Sequence, residues 1–141
     1  MKLTTYLLVA VMTIGFFSCK KEKNKDCAIN ESNFAGSYKI SSVKYKATSS
    51  SPEIDGSSFI DACAIDDVST FKSDHTYTYV DAGTKCNPPG DGTGTWSLSG
   101  STLTVDGNGT TVSNFTCSNF TVTTNNVFSP GDMLLITFAR Q

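Results

Sequence analysis

The sequence predicts an all-β fold, an eight-stranded antiparallel up-and-down barrel, and three observations support this prediction. The chain is rich in Thr, Ser, Gly, Asn and aromatic residues and poor in Leu, Ala, Glu and Arg, a composition typical of strands and turns. After residue 33, no stretch has a convincing 3.6-residue periodicity, and residues 57–65 could form a single helical turn. Eight short strand-like segments follow one another, mostly joined by tight turns. A β-sandwich is the alternative, but it would need longer crossover connections, and only residues 47–60 offer one.

Most of the predicted strands alternate apolar and polar side chains and end at turn residues. In the third strand, Tyr77 and Tyr79 alternate with smaller residues and so face one side. A β-bulge is expected near Ser42, because the apolar positions change face there. Residues 106–109, Asp-Gly-Asn-Gly, are a strong hairpin signal. The predicted strands are residues 38–45, 67–72, 76–80, 95–98, a strand through Leu103 and Val105, about 110–116, about 119–125, and 132–139.

Short connections force neighbouring strands to pair antiparallel, and a meander of eight strands removes its exposed edges by closing into a barrel. The interior of such a barrel is just wide enough to be filled by side chains or to hold one small ligand. The aromatic residues on the strands therefore form a filled core, or they line a partly open cup capped by residues 47–60 that binds a small hydrophobic molecule. The candidate ligand-lining residues are Phe71, Tyr77, Tyr79, Trp96, Phe120 and Phe138.

The first eighteen residues have the pattern of a bacterial lipoprotein signal peptide. A lysine near the start is followed by the apolar stretch from Leu3 to Phe17, which ends at Ser18-Cys19 before a lysine-rich segment. The stretch is too short to span a bilayer comfortably, and Phe16 fits poorly with the small-x-small site of an ordinary secretory peptide. We therefore expect cleavage before Cys19 and attachment of acyl chains such as palmitate to it. These chains would anchor the protein in the cell envelope, in the outer membrane by our prediction.

The predicted domain organisation follows from this cleavage. Residues 1–18 are the signal peptide, residues 19–33 a lipidated flexible tether, and residues 34–141 one β-barrel domain. The mature chain has 123 residues and a net charge of about −3, and its lysines cluster only at 20–25, so nucleic acid is excluded as a partner. The expected partners are the membrane and either a small hydrophobic ligand or another envelope protein.

Five cysteines can be assigned once Cys19 carries the lipid. The other four lie in an oxidising compartment, where three pairings are possible. We favour Cys63–Cys86, which would close a loop over one predicted hairpin, and this leaves Cys27 to pair with Cys117. Zinc is a poor alternative, because the spacings contain no CxxC pair and the chain has one histidine.

The remaining polar motifs do not predict catalysis, a metal site or a cofactor. Adjacent carboxylates at Asp66 and Asp67 could bind Ca²⁺, but neighbouring strand residues point to opposite faces, so we expect one to be solvated and the other to accept a hydrogen bond at a cap or turn. Residues 91–94 and 106–109 lack the trailing glutamate of a calcium loop. His75 is alone at a hairpin tip, without an evident nucleophile. We therefore predict that the protein is not an enzyme.

The segment from Gly36 to Arg140 resembles the lipocalin-like domains of bacterial surface lipoproteins, in the order and spacing of several short blocks. The resemblance implies a lipocalin-like barrel and a Cys63–Cys86 bridge, and it departs from the family at Tyr38, where Trp is usual. The resemblance predicts the fold but says little about the function. The blocks are Gly36-x-Tyr38, Cys63-x-x-Asp66-Asp67-x-x-x-Phe71, Asp74-x-Thr76-Tyr77, Cys86 with the glycine-rich loop, Gly94-Thr95-Trp96-x-Leu98, Leu103-Thr104-Val105 and Ile136-Thr137-Phe138-x-Arg140.

Overall fold

A computed structural model describes residues 27–141, and these residues form one short helix, two 3₁₀ turns and nine strands. The predicted signal peptide and Cys19 lie outside the described residues. Within residues 27–141, no helix is long and apolar enough to span a bilayer. The elements are α1 Glu31–Phe34, β1 Gly36–Lys46, β2 Ile54–Asp55, 3₁₀ turns Ser57–Phe59 and Ala62–Ala64, β3 Val68–Phe71, β4 Thr76–Val80, β5 Gly92–Ser99, β6 Thr102–Val105, β7 Asn108–Thr116, β8 Asn119–Asn125 and β9 Met133–Arg140.

The strands form one antiparallel sheet that closes on itself. Their order is β2-β1-β3-β4-β5-β6-β7-β8-β9, and β1 also pairs with β9, from Tyr38 opposite Arg140 to Lys46 opposite Met133. The eight longer strands therefore form an up-and-down barrel, which confirms the predicted fold and rules out the sandwich. The β1–β9 register shifts between Ile40 and Ser42, at the bulge expected near Ser42.

Three elements differ from the sequence prediction. Residues 48–58 contain the short strand β2, which pairs with Lys44 and Tyr45 of β1. This strand forms through backbone pairing, so its polar sequence gave no signal. β5 begins at Gly92, three residues before the predicted start at residue 95, because residues 92–95 pair with β4. Residues 57–65 form two 3₁₀ turns instead of one helical turn.

The folded domain also begins before residue 34. Residues 27–33 were predicted to belong to a flexible tether, but Cys27 is bonded to Cys117 and α1 begins at Glu31. The Asn30 side chain caps this helix by accepting a hydrogen bond from the Asn33 N–H at 2.9 Å. A polar sequence with one turn of helix carries no periodicity, so the boundary could not be placed from the sequence.

Candidate functional site

The two ends of the barrel differ in structure. We call the end beside α1, where β1 begins, the closed end, and the end where β1 terminates the open end. The turns 72–75, 99–101 and 117–118 lie at the closed end together with the Cys27–Cys117 bridge. The long connections lie at the open end: residues 47–67, 81–91 and 126–132.

The ring of Phe34 fills the interior at the closed end. Its side chain is fully buried and contacts five aromatic rings, with centroid distances of 4.7–5.8 Å. These five rings are Tyr38, Phe71, Trp96, Phe115 and Phe120. The closed half of the barrel is therefore a packed aromatic core with a helix as its stopper.

Arg140 holds this stopper in place. Its guanidinium donates hydrogen bonds to the backbone oxygens of Asn33 and Ala35 and to the Tyr38 hydroxyl, and it lies 5.1 Å from the centre of the Tyr38 ring. The Tyr38 hydroxyl in turn donates to the Phe34 carbonyl at 2.7 Å. Burial raises the pKa of Tyr38, against the lowering effect of the guanidinium. A β-carbon at Gly36 would lie 2.5 Å from Arg140 Nη1, so any larger residue here would displace the guanidinium.

The inward-facing residues of the open half can be read from the strand register. Side chains directly opposite each other on antiparallel strands share a face, and so do residues two apart on one strand. Tyr77 is opposite Phe71, and Phe138 is opposite Phe120, so both face the interior. The same rule places Tyr79, Val105, Val122 and Ile136 inside. It also places Val43, Val112 and Leu134 there, and these three side chains are buried.

Six of the inward-facing side chains are only partly buried. Each of the six keeps intermediate solvent exposure, whereas Phe71, Trp96 and Phe120 below them are buried. Phe138 stacks on Phe120 with 5.0 Å between ring centroids, and Tyr77 lies 5.2 Å from Phe71. The open half is thus a cup, with the aromatic core as its floor. We define the cup by its six residues: Tyr77, Tyr79, Val105, Val122, Ile136 and Phe138.

Tyr79 connects the cup to a buried carboxylate. Its hydroxyl donates a short hydrogen bond to Asp67 Oδ2, and Asp67 Oδ1 accepts a hydrogen bond from the Ala82 N–H at 2.9 Å. Burial, together with the adjacent carboxylate, raises the pKa of Tyr79 well above its usual value. This hydroxyl therefore remains a proton donor at all physiological pH values and fixes the direction of the ring.

Loop 81–91 at the open end is built around carboxylates. Asp81 is fully buried and accepts hydrogen bonds from the backbone N–H of Cys86 at 3.2 Å and of Gly90 at 3.3 Å. Asp66 accepts one from the Thr84 N–H at 2.9 Å. Asp66 and Asp67 thus hold the same loop, contrary to the expectation that one would be solvated.

Possible ligand atoms of Asp67, Asp81 and Cys86 lie within 4.8 Å of one another. However, the Cys86 sulfur is bonded to Cys63, which removes the thiolate, and both carboxylates accept hydrogen bonds from the protein. The geometry therefore fits structural support of the loop. Both predicted disulfides, Cys63–Cys86 and Cys27–Cys117, are present in the structure.

A second aromatic cluster lies at the mouth of the cup. Tyr45, Phe59 and Phe128 contact one another with ring centroids 4.7–5.9 Å apart, and Phe59 and Phe128 are 44% and 56% exposed. We call these three residues the mouth cluster. This cluster could not be predicted from the sequence, because its members come from a strand and two loops that are far apart in the chain. Exposed aromatic groups of this kind mark surfaces that contact other molecules.

Asp132 holds the loop that carries Phe128. The Asp132 side chain is fully buried and accepts hydrogen bonds from the backbone N–H groups of residues 127–129 at 2.7–3.0 Å and from the Tyr45 hydroxyl at 3.2 Å. Burial alone would raise the pKa of Asp132, but these hydrogen bonds outweigh it and lower that pKa. Asp132 therefore fixes the loop of Phe128 beside Tyr45 of β1.

His75 lies at the closed end, at the β3–β4 turn. Its backbone has a φ of 65°, its Nδ1 is 3.3 Å from the Trp96 carbonyl oxygen, and the same atom is 3.7 Å from Glu31 Oε1. These contacts connect the hairpin to α1 and to β5. They give His75 a structural role beside the stopper.

The structure divides the six candidate ligand-lining residues into two groups. Phe71, Trp96 and Phe120 are packed core, so they do not line an accessible interior. Tyr77, Tyr79 and Phe138 belong to the cup. Of the six, Trp96 also borders a small cavity of about 280 Å³ beside α1.

The barrel closed by a helix at one end, with a cup at the other, is the architecture of small binding proteins of the lipocalin class. Residues 34–128 match the lipocalin-like domain family, and the chain belongs to that family. Proteins of this family are in general non-enzymatic binding proteins. No curated protein and no solved structure matches the chain.

Proposed function

We propose that this protein is a non-catalytic, lipid-anchored binding protein that takes up a small apolar or amphipathic molecule in the cup. The observation that carries the proposal is the partial exposure of six inward-facing side chains above an aromatic floor. Tyr77 and Tyr79 offer apolar ring faces, and the Tyr79 hydroxyl is held by Asp67. Such a lining suits a ligand with an apolar body, as small-molecule sites usually do.

The position of the lipid anchor determines which end of the barrel faces away from the membrane. If acyl chains on Cys19 hold the protein on a membrane of the cell envelope, the chain enters the barrel at the closed end, at Cys27. The cup then opens at the opposite end of the barrel, on the far side from the point of attachment. A ligand would be received from the surrounding compartment or from a partner protein.

A matched pair of substitutions on β9 tests the cup. Ile136→Trp fills it, whereas Leu135→Trp places the same side chain on the outer face of the same strand. With a dansyl-labelled fatty acid as the probe, wild type and Leu135→Trp should bind and enhance its fluorescence, and Ile136→Trp should lose binding at least about tenfold, equivalent to about 1.4 kcal/mol. Equal binding by both variants would show that the cup is not the site.

A second candidate function is an interaction module of the cell envelope. The observation in its favour is the mouth cluster, whose two exposed phenylalanines lie at the open end with Ile54, 55% exposed, on the same side of the barrel. In that case the cup would be part of a protein interface. Phe128→Ser would abolish association with an envelope partner in crosslinking of intact cells, while leaving the fatty-acid probe bound.

A further inference from the structure

The wall of the cup formed by β3 and β4 carries hydroxyl groups on its inner face. Tyr77 is opposite Phe71 and Tyr79 is opposite Ser69, so Ser69 faces the interior together with both tyrosines. Ser69 is buried, and its hydroxyl oxygen lies 3.2 Å from the Tyr77 hydroxyl oxygen. The Tyr79 hydroxyl donates to Asp67. Three hydroxyl groups therefore lie on one side of the cup.

The wall across from these hydroxyl groups carries no charge. In the closed ring of eight strands, β8 is four places from β4 in either direction, and β7 is four places from β3, so these pairs face each other across the barrel. Val112 and Val122 are opposite each other on β7 and β8 and point inward. Thr110 and Thr124 follow them toward the open end. A molecule in the cup would thus contact hydroxyl groups on one side and apolar groups on the other.

The Ser69–Tyr77 pair has unused hydrogen-bonding capacity. Each hydroxyl can donate one hydrogen bond and can also accept. The single hydrogen bond between the two oxygens uses one proton, and neither oxygen has another partner among the described residues. One O–H group and several lone pairs are therefore free. Because a buried O–H group without an acceptor is costly, the pair favours a bound group that can accept from it.

Nearer the rim, the same wall is negatively charged. Asp67 and Asp81 are buried, and an oxygen of one carboxylate lies within 4.8 Å of an oxygen of the other. Among residues 27–141, no lysine or arginine nitrogen lies within 4.0 Å of an Asp or Glu carboxylate oxygen. Lys85 donates to the backbone carbonyl of Asp81 instead. Charges repel more strongly in a buried site than in water, so this wall disfavours an anionic ligand.

We propose that the cup selects an uncharged amphiphile with a hydroxyl group, and that this hydroxyl binds to the Ser69–Tyr77 pair. The proposal rests on the proposed function of the cup. A hydroxyl group is complementary to the pair, because it can accept from the free O–H and donate to a free lone pair. The apolar body of the ligand would lie against Val122 and Ile136. A carboxylate at the same position would approach the charges of Asp67 and Asp81.

The experiment compares three probes that share one dansyl-labelled chain and differ only in the end group: the carboxylate of the fatty acid, a hydroxyl, and a methyl. In wild type at pH 7, the hydroxyl probe should bind about fivefold more tightly than the methyl probe, through its hydrogen bonds to the pair. It should also bind at least about tenfold more tightly than the fatty acid, which still binds. Equal affinities for the three probes overturn this proposal and leave the proposed function intact. Failure of all three to bind contradicts the proposed function itself.

A double variant tests the assigned position of the ligand hydroxyl. Ser69→Ala combined with Tyr77→Phe removes both hydroxyl groups and keeps the aromatic ring. In this variant the hydroxyl probe should bind no more tightly than the methyl probe, and unchanged binding of the methyl probe reports that the cup is folded. Tyr45→Phe is the matched control, because its hydroxyl is bonded to Asp132 at the mouth, and it should keep the wild-type preference. A preference for the hydroxyl probe that survives in the double variant overturns the proposal.

Discussion

Replacing Phe34 with alanine removes the ring that closes the barrel interior. Phe34 is fully buried, and five aromatic rings lose a contact when it is truncated. These rings sit on a closed sheet whose strands are fixed by pairing on both sides, so they have little freedom to collapse into the space. A buried Phe→Ala change costs about 3–5 kcal/mol, and the rigid surroundings place this one near the upper end.

That loss is a large fraction of a domain's stability, which is about 5–15 kcal/mol. Urea unfolding followed through the single tryptophan, Trp96, whose ring lies 5.8 Å from that of Phe34, measures it directly. Phe128→Ala is the matched control, because it removes the same side chain from a site that is 56% exposed. Its expected cost is below about 1.5 kcal/mol. If Phe34→Ala were no more destabilising than Phe128→Ala, α1 would not be the stopper of this barrel.

Further predictions concern the stopper, the bridges, the mouth and the anchor. Arg140→Met should free α1 and raise amide exchange there, and a wild-type exchange rate would contradict the hydrogen bonds described above. Replacing Cys27 and Cys117 by serine should cost about 4–5 kcal/mol, from the chain entropy of a loop of 90 residues, and calorimetry that finds no loss would refute this. Because the pKa of Asp132 is lowered on folding, its stabilising contribution is complete above the unfolded pKa of about 4 and is lost as pH falls through the folded value. In Asp132→Asn, the free energy of unfolding should therefore fall less than in wild type as the pH is lowered below about 4. An equal fall in both proteins would contradict this role of Asp132. Cys19→Ala should abolish palmitate labelling, and undiminished label would disprove the anchor.

The sequence predicted the barrel well where the pattern is local. Tyr77 and Tyr79 alternate with threonines, and β4 has the predicted bounds, because a half-buried strand imposes a period of two on its own residues. The bulge near Ser42 was predictable for the same reason. Features that depend on partners distant in sequence were not predictable. β2 is an example, because its pairing with β1 depends on backbone contact and leaves no mark on composition.

The site was only half predictable. Composition identified six aromatic residues but could not separate Phe71, packed under the stopper, from Tyr77 in the cup, because both occupy inward positions of neighbouring strands. The stopper itself comes from a segment predicted to be a tether.

The central claim, that the cup holds a small apolar molecule, is tested most directly by native mass spectrometry of the protein purified from its own host. Wild type should carry a noncovalent mass that is released on denaturation, Leu135→Trp should retain it, and Ile136→Trp should lack it. A wild-type protein that is free of ligand, or a ligand that persists in Ile136→Trp, would contradict the claim.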